Sequence, residues 1–383
     1  MKILHTSDWH LGKTLCKHSL IEDQQYFIEN NFFPTIEREK PDLIIIAGDV
    51  FDRAVAPIEA INIFNNVLYK VSHDYSTPLV IISGNHDSRE RMAVGAELLK
   101  DQNIYISNSI DSFFKPITIK KDSEKINIYT LPFFDYTEAA HYFGDESNIS
   151  SLSDAFSCLT ERLKDNFDNN AFNILVSHCY INGCSLSGSE SSIYIAQTEE
   201  VSYKLLDMFD YIALGHLHSA QKAGNKGYYS GSPLSYSFSE KSFNKSMILV
   251  ETYGKSFDLS HIDISPLRKV RTLKGNFKDI IEIGKNHPSD DYICVHLSDN
   301  SPIYMPIEQL KVYFPNIITV SADWINNAAQ NSDTLDEIPP LNLKLNEKDL
   351  FCQFIEQICG EDVSESDLEN FDCVLSRLKE DEE

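Results

Sequence analysis

The stretch LIIIAGDVFDR at residues 43–53 decides the fold, because an uninterrupted apolar run leads directly into a glycine and a carboxylate. Such a run is typical of a strand that is buried on both faces of a sheet. The residues that follow have apolar side chains at helical spacing, at Ile58, Ile61, Phe64, Val67 and Leu68. A second run of the same kind, LVIISGNHD, occupies residues 79–87. The alternation of strand, helix and strand predicts an α/β domain whose sheet is covered by helices.

Three more short motifs in the first 220 residues follow predicted strands and contain Asp or His. The five motifs are Asp8-Trp9-His10, Gly48-Asp49-Val50-Phe51-Asp52-Arg53, Gly84-Asn85-His86-Asp87, Ser177-His178 and Gly215-His216-Leu217-His218. One such motif alone is usual in an ordinary loop. All five lie at the carboxyl ends of predicted strands, and in open α/β sheets the loops at that edge converge on one crevice. We therefore predict that these side chains line a single pocket.

The five motifs supply the oxygen and nitrogen ligands that two divalent metal ions need. The predicted ligands are Asp8, His10, Asp49, Asn85, His178, His216 and His218. Asp49 is the natural bridge, because a carboxylate has two oxygens and Gly48 before it permits a tight turn. Carboxylates mixed with imidazoles suit Mn²⁺, Fe²⁺ or Zn²⁺ better than Mg²⁺ alone. Since no thiolate is among the predicted ligands, we favour Mn²⁺ and keep Mg²⁺, Fe²⁺ and Zn²⁺ as alternatives.

The predicted metal pair indicates hydrolysis of a phosphoester. Two ions about 3.5–4 Å apart can activate a water molecule and offset the charge that develops on the phosphate. His86 lies beside a predicted ligand, and we predict that it donates a proton to the leaving oxygen or neutralises the transition state. Asp87 is predicted to orient His86 by accepting its other N–H.

The composition limits the classes of function. The chain has 383 residues and a formal net charge of −25, so its overall field should repel nucleic acid. A nucleic-acid substrate would need bound metal, a local basic patch or a basic partner. The eight cysteines are scattered without a CxxC pair, which argues against structural zinc and favours reduced thiols. The sequence predicts neither a signal peptide nor a membrane span, so we expect a cytoplasmic protein.

The pattern of elements changes near Pro266. Residues 1–265 are predicted to form the phosphoesterase domain, residues 266–324 a small unit of strands and helices, and residues 325–345 a linker rich in Asn, Asp and Pro. Residues 346–383 contain two amphipathic helix patterns. Their apolar residues include Leu350, Phe351, Phe354, Ile355, Leu368, Phe371 and Leu375. Such a helix pair either docks on its own chain or binds a partner helix.

The ordered motifs resemble those of the calcineurin-like metallophosphoesterase superfamily. More specifically, KILHTSDWHLG, GDVFD, SGNHDS, ALGHLH and YSGSPLSYSFSE, the last at residues 229–240, resemble the SbcD family of double-strand-break-repair nucleases. The resemblance implies a two-sheet sandwich flanked by helices, a small α+β DNA-capping domain and a C-terminal helical hairpin. The ligand sets that it implies are Asp8, His10, Asp49 and His218 for one ion, and Asp49, Asn85, His178 and His216 for the other. His86 takes the catalytic role, and Asp52 stands where some branches of the family have a histidine.

The resemblance also implies partners and a substrate. The partner is a coiled-coil ATPase of the SbcC type that binds the terminal helices and provides ATP gating, since this chain has no phosphate-binding loop of its own. The assembly contains two nuclease and two ATPase chains, with a nuclease homodimer, and acts on double-stranded DNA ends and hairpins in DNA repair, recombination and replication. We predict that a basic stretch of the small domain contacts DNA phosphates, unless it is simply a solvated basic face. The residues of this stretch are Arg268, Lys269, Arg271, Lys274 and Lys278.

Two alternative functions are compatible with the motifs. One is a phosphodiesterase or phosphatase for small substrates. Protein phosphatases prefer Glu where this chain has Asp87, and an Asp-Arg-Gly continuation where it has Ala54, so we rank this alternative lower. The other is a scaffold without catalysis that anchors the ATPase, which the intact set of predicted ligands disfavours.

Overall fold

The computed structural model describes residues 1–144, 148–186, 200–242, 244–301 and 303–322, together with Leu368 and Phe371. The chain divides into two units, Met1–Asp323 and Trp324–Glu383. The first unit contains two six-stranded sheets and a smaller three-stranded sheet. The predicted domain boundaries at residues 265, 324 and 345 remain predictions.

The first sheet contains the apolar runs that the sequence places at residues 43–47 and 79–82. In spatial order its strands are Ser256–Asp263, Ser246–Tyr253, Lys2–Thr6, Leu43–Ala47, Leu79–Ile82 and Ile104–Ser107. The last four strands of this order are parallel, and the other two are antiparallel additions from late in the chain. Every residue of Leu43–Ala47 is buried, as a strand covered on both faces requires.

The second sheet is also mixed and has a parallel centre. Its strands in spatial order are Gln221–Ala223, Gly227–Tyr229, Tyr211–Gly215, Phe172–His178, Glu124–Leu131 and Ile117–Lys121. The two edge pairs are antiparallel and the inner pairs are parallel. The predicted antiparallel pairing of the segments near residues 117 and 126 is confirmed, but Phe113 belongs to a 3₁₀ turn, Ile110–Phe114, rather than to the strand.

The two sheets pack face to face through apolar side chains. Ile3, Ile45 and Val80 of the first sheet share a buried cluster with Ile128 and Ile174 of the second. Each such aliphatic side chain contributes about 1.5–3 kcal/mol by leaving water. Alternate residues of the same strands pack against helices on the outer faces. The result is the two-sheet sandwich flanked by helices that the family resemblance implies.

Helices cover the outer face of each sheet. Those on the first sheet are Ile21–Phe27, the π-helical turn Ile28–Phe32, Phe33–Glu39, Ile58–Lys70 and the π-helical turn Val71–Tyr75. Those on the second are Tyr136–Phe143 and Leu152–Leu163. Two short helices, Arg89–Met92 and Ala96–Lys100, follow the third motif.

The predicted apolar face of helix Ile58–Lys70 is partly wrong. Phe64 and Val67 are buried, but Ile58 and Ile61 have exposed fractions of 73% and 42%. The helix instead buries Ala60 and Ile63, so its inward face is rotated from the predicted one.

The three-stranded sheet follows the first two as the sequence predicts. Its parallel strands are Val270–Gly275, Tyr292–Leu297 and Ile317–Ala322. Helices Phe277–Asn286 and Pro306–Lys311 connect them. Arg268 joins the three-stranded sheet and its helices, here called the small unit, to helix Ile21–Phe27, because its guanidinium pairs with Glu22 and Asp23.

Of the predicted terminal helices, Leu368 and Phe371 are described and are helical. The predicted linker and Leu350, Phe351, Phe354, Ile355 and Leu375 lie outside the described residues. Within the described part of the chain, none of the helices combines the length and the apolar character that a membrane crossing requires.

Candidate metal centre

The five motifs meet at the carboxyl edges of the two facing sheets. Backbone hydrogen bonds tie the first two motifs together, since Asp8 N donates to Gly48 O at 3.0 Å and His10 N donates to Asp49 O at 2.9 Å. In the second sheet, Gly215 lies opposite His178 in the parallel ladder. The loops of both sheets therefore open on one side of the sandwich, where their side chains converge.

The backbone at this edge is held in uncommon conformations. Asp8, His10, Asp49 and His216 have φ angles of 54°, 45°, 50° and 105°. Residues with side chains rarely adopt such angles, which cost on the order of 1–3 kcal/mol each and concentrate at functional sites. Gly84 is needed for a different reason, because a Cβ there would lie 2.1 Å from Asp49 Oδ1.

One group of ligand atoms contains Asp8, His10 and His218. A carboxylate oxygen of Asp8 and one ring nitrogen of each histidine all lie within 4.8 Å of one another. The Nε2 atoms of His10 and His218 are 3.0 Å apart, so both lone pairs can point at a common position. All three side chains are buried.

A second group forms around His178. Its Nε2 lies 3.0 Å from Asn85 Oδ1, and His216 Nδ1 lies 3.2 Å from the same oxygen. The Nδ1 of His178 donates to the carbonyl of Ala47 at 2.9 Å. This bond fixes the tautomer and leaves Nε2 as the nitrogen that faces the site.

Asp49 lies between the two groups. Its Oδ2 is 3.5 Å from His10 Nε2 and 3.4 Å from His178 Nε2. Its Oδ1 accepts the backbone N–H of His86 at 2.9 Å. One carboxylate is thus in reach of both groups, which is the position that a bridging ligand occupies.

The donor set fits two divalent cations. Two buried carboxylates, an amide oxygen and four histidines are expensive to bury without a compensating charge. The Nδ1 of His10 is buried without a hydrogen-bond partner among the described residues. Hard oxygens and imidazole nitrogens are the usual ligands of first-row divalent ions.

Burial and neighbouring charges shift the pKa values of several side chains in the metal-free cluster. Burial raises the pKa of Asp8 to about 6, although the neighbouring histidines oppose it. Burial would lower the pKa of His178, but the adjacent Asp49 carboxylate outweighs this and raises the pKa to about 9. For His216, burial and the neighbouring His178 lower the pKa to about 3. The raised pKa values of Asp8 and His178 mean that protons and cations compete for these two side chains.

His86 lies at the rim of the cluster, with its ring centroid 4.7 Å from that of His10. The prediction that Asp87 orients it is wrong. The Nδ1 of His86 lies 2.9 Å from the backbone carbonyl of Asp52 and donates to it. The Asp87 carboxylate instead accepts the backbone N–H groups of Val50, Phe51 and Gly84, at 3.1, 2.9 and 2.9 Å. Asp87 therefore fastens the second motif to the third.

Asp52 contributes a side chain as well as a carbonyl. Its Oδ1 is 2.6 Å from Lys13 Nζ and 3.7 Å from His10 Nδ1. The ammonium group of Lys13 therefore lies beside the cluster. The five motifs do not include this residue.

A buried layer that the motifs do not predict lies behind the cluster. Glu240 accepts from His218 Nδ1 at 3.4 Å and from Lys245 Nζ at 2.8 Å. The ring of Tyr236 packs edge-on against His10 and His218. Tyr236 and Glu240 belong to the YSFSE sequence at 236–240, which is part of the family resemblance. Neither residue is among the predicted metal ligands.

The predicted phosphate contacts need a correction at two of five residues. Arg268 is paired with Glu22 and Asp23, and Arg271 Nε lies 2.7 Å from Asp291 Oδ2. The ion pairs of Arg268 link the three-stranded sheet to helix Ile21–Phe27, and that of Arg271 lies within the small unit, so both guanidinium groups already have carboxylate partners. Lys269, Lys274 and Lys278 are exposed.

Comparisons with known proteins agree with the site. Residues 1–220 match the family model described as calcineurin-like phosphoesterase, and residues 266–358 match the Type 5 capsule protein repressor C-terminal domain. A curated relative from Staphylococcus epidermidis, the SbcD component of nuclease SbcCD, is 35% identical over 324 residues, which are 84% of this chain and 85% of the relative. The chain belongs to the SbcD nuclease family. As an SbcD homologue with a metallophosphoesterase domain, it is a metal-dependent phosphodiester hydrolase and a nuclease subunit.

Two solved structures match this SbcD homologue with low TM-scores. A dimetal phosphatase from Danio rerio has a TM-score of 0.39 and 10% identity, and covers 69% of this chain and 99% of its own. The NAD nucleotidase of Haemophilus influenzae has a TM-score of 0.34 and 15% identity, over 88% of this chain and 60% of its own. Because both TM-scores are low, the fold assignment depends on the family model and the sheet topology.

Proposed function

We propose that this chain is a Mn²⁺-dependent exonuclease and endonuclease for double-stranded DNA ends and hairpins, and that it works with an SbcC-type ATPase. The observation that carries the proposal is the position of Asp49, whose Oδ2 lies within 3.5 Å of a ring nitrogen from each of the two ligand groups. A single carboxylate between two sets of buried and half-buried nitrogen and oxygen ligands suits a metal pair.

The proposed ligands are those of the motifs. They are Asp8, His10, Asp49 and His218 for one ion and Asp49, Asn85, His178 and His216 for the other. Two divalent ions bound there supply Lewis acidity for phosphodiester hydrolysis. The buried side chains exclude bulk water, and the backbone bonds at the strand ends keep the ligands in place before substrate binds.

His86 is the proposed catalytic histidine. Its Nδ1–H is donated to the carbonyl of Asp52, so Nε2 is the nitrogen that remains for the substrate. The side chain is partly exposed, unlike those of Asp8 and His10. In the proposal, Nε2 carries the proton that the leaving oxygen needs or stabilises the charge on the phosphate. The Asp52 carbonyl has the orienting role that the sequence assigned to Asp87.

A phosphodiesterase for small substrates is the alternative. Purified chain should be given linear duplex, end-blocked duplex, hairpin DNA and a chromogenic phosphodiester, each with Mn²⁺ and with EDTA. The proposal expects Mn²⁺-dependent cleavage of free duplex ends and hairpins, without a requirement for ATP. Turnover of the chromogenic ester with no cleavage of any DNA, with or without an SbcC-type partner, would favour the alternative.

The proposed DNA contacts are Lys274 and Lys278, and Lys269 lies at some distance from both. Lys274 lies near the end of strand Val270–Gly275, and Lys278 in the first turn of the helix that follows. Lys269 precedes the start of that strand, and five residues of strand separate it from Lys274 by roughly 17 Å. A phosphate backbone can therefore engage the first two together without base specificity.

The proposed assembly has two nuclease and two ATPase chains. Val55, Ile58 and Ile61 form an exposed apolar patch at the start of helix Ile58–Lys70, and we propose that this patch is part of the homodimer contact. The terminal segment at 346–383 is the proposed binding site for the coiled coil of the ATPase, as the pattern of apolar residues there suggests.

A further inference from the structure

A buried ion pair stands directly behind His218. The Glu240 side chain has no exposed surface, and its two oxygens face different partners. One accepts from His218 Nδ1 at 3.4 Å, and the other accepts from Lys245 Nζ at 2.8 Å. The opposite nitrogen of the same imidazole, Nε2, is the one that lies 3.0 Å from His10 Nε2. His218 is thus connected to a carboxylate on one side and to the candidate metal position on the other.

Lys245 holds both the backbone and the side chain of His218. Its Nζ donates to the His218 carbonyl at 2.9 Å and to Ser232 Oγ at 2.7 Å, in addition to Glu240. The Ser232 backbone N–H donates to the same carbonyl at 3.2 Å. The loop at residues 230–245 therefore fixes one histidine from two directions.

Stability alone does not account for this arrangement. Burying a carboxylate and an ammonium costs desolvation energy that their attraction often fails to repay, so packed apolar residues would serve as well or better. A carboxylate that accepts the N–H of a histidine fixes the tautomer and makes the other nitrogen a better ligand. The Glu240–Lys245 ion pair is explained if it makes His218 Nε2 a stronger metal ligand.

Among the described residues, the second ligand group has a neutral partner in the corresponding position. The corresponding histidine, His178, donates its Nδ1–H to the backbone carbonyl of Ala47, which is a neutral acceptor. A charged acceptor polarises an imidazole more strongly than a neutral one. The two halves of the centre therefore differ in the strength of their histidine ligands.

We propose that Glu240, held in place by Lys245, is a positioning residue that makes the half of the centre containing Asp8, His10 and His218 the tighter of two divalent-cation sites. The inference rests on the proposed ligand roles of these side chains. It assigns an order of occupation, in which this half fills first and the half containing Asn85, His178 and His216 fills second.

The test is a calorimetric titration of the metal-free full-length chain with Mn²⁺. The wild-type chain should show two binding steps of unequal affinity. Glu240→Gln keeps the shape and one acceptor oxygen but loses the charge, so the tighter step should weaken by about 10–100-fold while the weaker step is unchanged. Glu251→Gln, the same change on strand Ser246–Tyr253 of the first sheet, is the matched control and should leave both steps as they are.

The variant Glu240→Gln leaves Lys245 buried beside a neutral amide, which could disturb the loop for structural reasons. The double variant Glu240→Gln/Lys245→Met removes that charge and should recover thermal stability without recovering the tight step. Wild-type affinity in either variant, or equal weakening of both steps, overturns the inference. Failure of the wild-type chain to bind two Mn²⁺ ions would instead overturn the proposed function, so the two failures are distinguishable.

Discussion

At the residue scale, the sequence predicts side chains well where a strand dictates their position. Asp49, Asn85 and His178 come together because each follows a buried parallel strand, and the ends of such strands share an edge. Asp87 could not be predicted, because its partners are backbone N–H groups brought close by two turns. Glu240 lies 22 residues from His218, on a loop whose path has no periodic signal. Spacing therefore identifies the ligands but not the residues that hold them.

His86→Gln should abolish most DNA cleavage while leaving the metal centre intact. Proton transfer by a positioned side chain contributes about 10²–10⁴-fold to a rate, so a loss of that size in kcat is expected. Single-turnover cleavage of duplex DNA measures it, and Mn²⁺ titration shows whether the ions still bind. The control is His73→Gln, an exposed histidine on the first sheet's outer helices. Wild-type cleavage by His86→Gln would remove this histidine from the mechanism.

The metal-free chain should lose stability as the pH rises. The pKa of His178 is raised from 6.5 to about 9 in the fold, so its protonated form stabilises the folded state fully below 6.5, and this contribution is lost as the pH approaches 9. Between about pH 4 and 6 the raised pKa of Asp8 acts in the same direction, and the lowered pKa of His216 acts in the opposite one. Bound Mn²⁺ replaces these protons, so its stabilising effect should grow over the same range.

Thermal unfolding with EDTA and with Mn²⁺, at steps between pH 6.5 and 8.5, measures this effect. The gap between the two Tm values should widen with increasing pH. A gap that narrows would mean that protons and metal do not compete for this cluster.

At the scale of elements, the sequence predicts the strands that lead into the five motifs, but not every strand of the two large sheets. The strands that were not predicted are Ile104–Ser107, Gln221–Ala223, Gly227–Tyr229, Ser246–Tyr253 and Ser256–Asp263. The apolar runs at 43–47, 79–82, 172–178 and 211–215 are long and bounded by glycine or polar residues, so they leave little ambiguity. The π-helical turn Ile28–Phe32 was not predicted, since it depends on a slipped backbone hydrogen bond rather than on composition. The ion pairs of Arg268 and Arg271 were also missed, because they form only when the small unit packs on Ile21–Phe27 and on itself.

The small unit should bind the DNA backbone through the end of its first strand. Lys274→Glu/Lys278→Glu, made in the His86→Gln background to prevent cleavage, should weaken duplex binding and lower the salt dependence by up to about two phosphate contacts. Lys311→Glu, on the helix Pro306–Lys311 of the same unit, controls for added negative charge. Titrations at several salt concentrations give the slopes. Equal slopes for the double variant and the background chain would reject this surface.

At the scale of the whole molecule, the chain places a dinuclear centre on a two-sheet sandwich and leaves an apolar patch on one flanking helix. The rotation of helix Ile58–Lys70 could not be predicted from spacing, because Ile58 and Ile61 fit an inward face as well as Ala60 and Ile63 do. A cluster of exposed apolar residues indicates a binding partner, whereas single exposed apolar residues are common. The patch therefore supports the proposed contact with a second copy of the chain.

The patch predicts a dimer that a single charge disrupts. Ile58→Glu should convert a dimer into a monomer in light scattering coupled to gel filtration, because the carboxylate would be buried without a partner. Val312→Glu, an equally exposed apolar residue of the small unit, should leave the dimer unchanged. If wild-type chain is monomeric at micromolar concentration, or if Ile58→Glu stays dimeric, this contact is not the interface.

The most direct test of the central claim is anomalous X-ray diffraction from crystals of the full-length chain grown with Mn²⁺. Two anomalous peaks are expected in the crevice, about 3.5–4 Å apart, with the Asp49 carboxylate in contact with both. A single peak, or two peaks with Asp49 bound to only one of them, would contradict the claim that one carboxylate joins two metal sites.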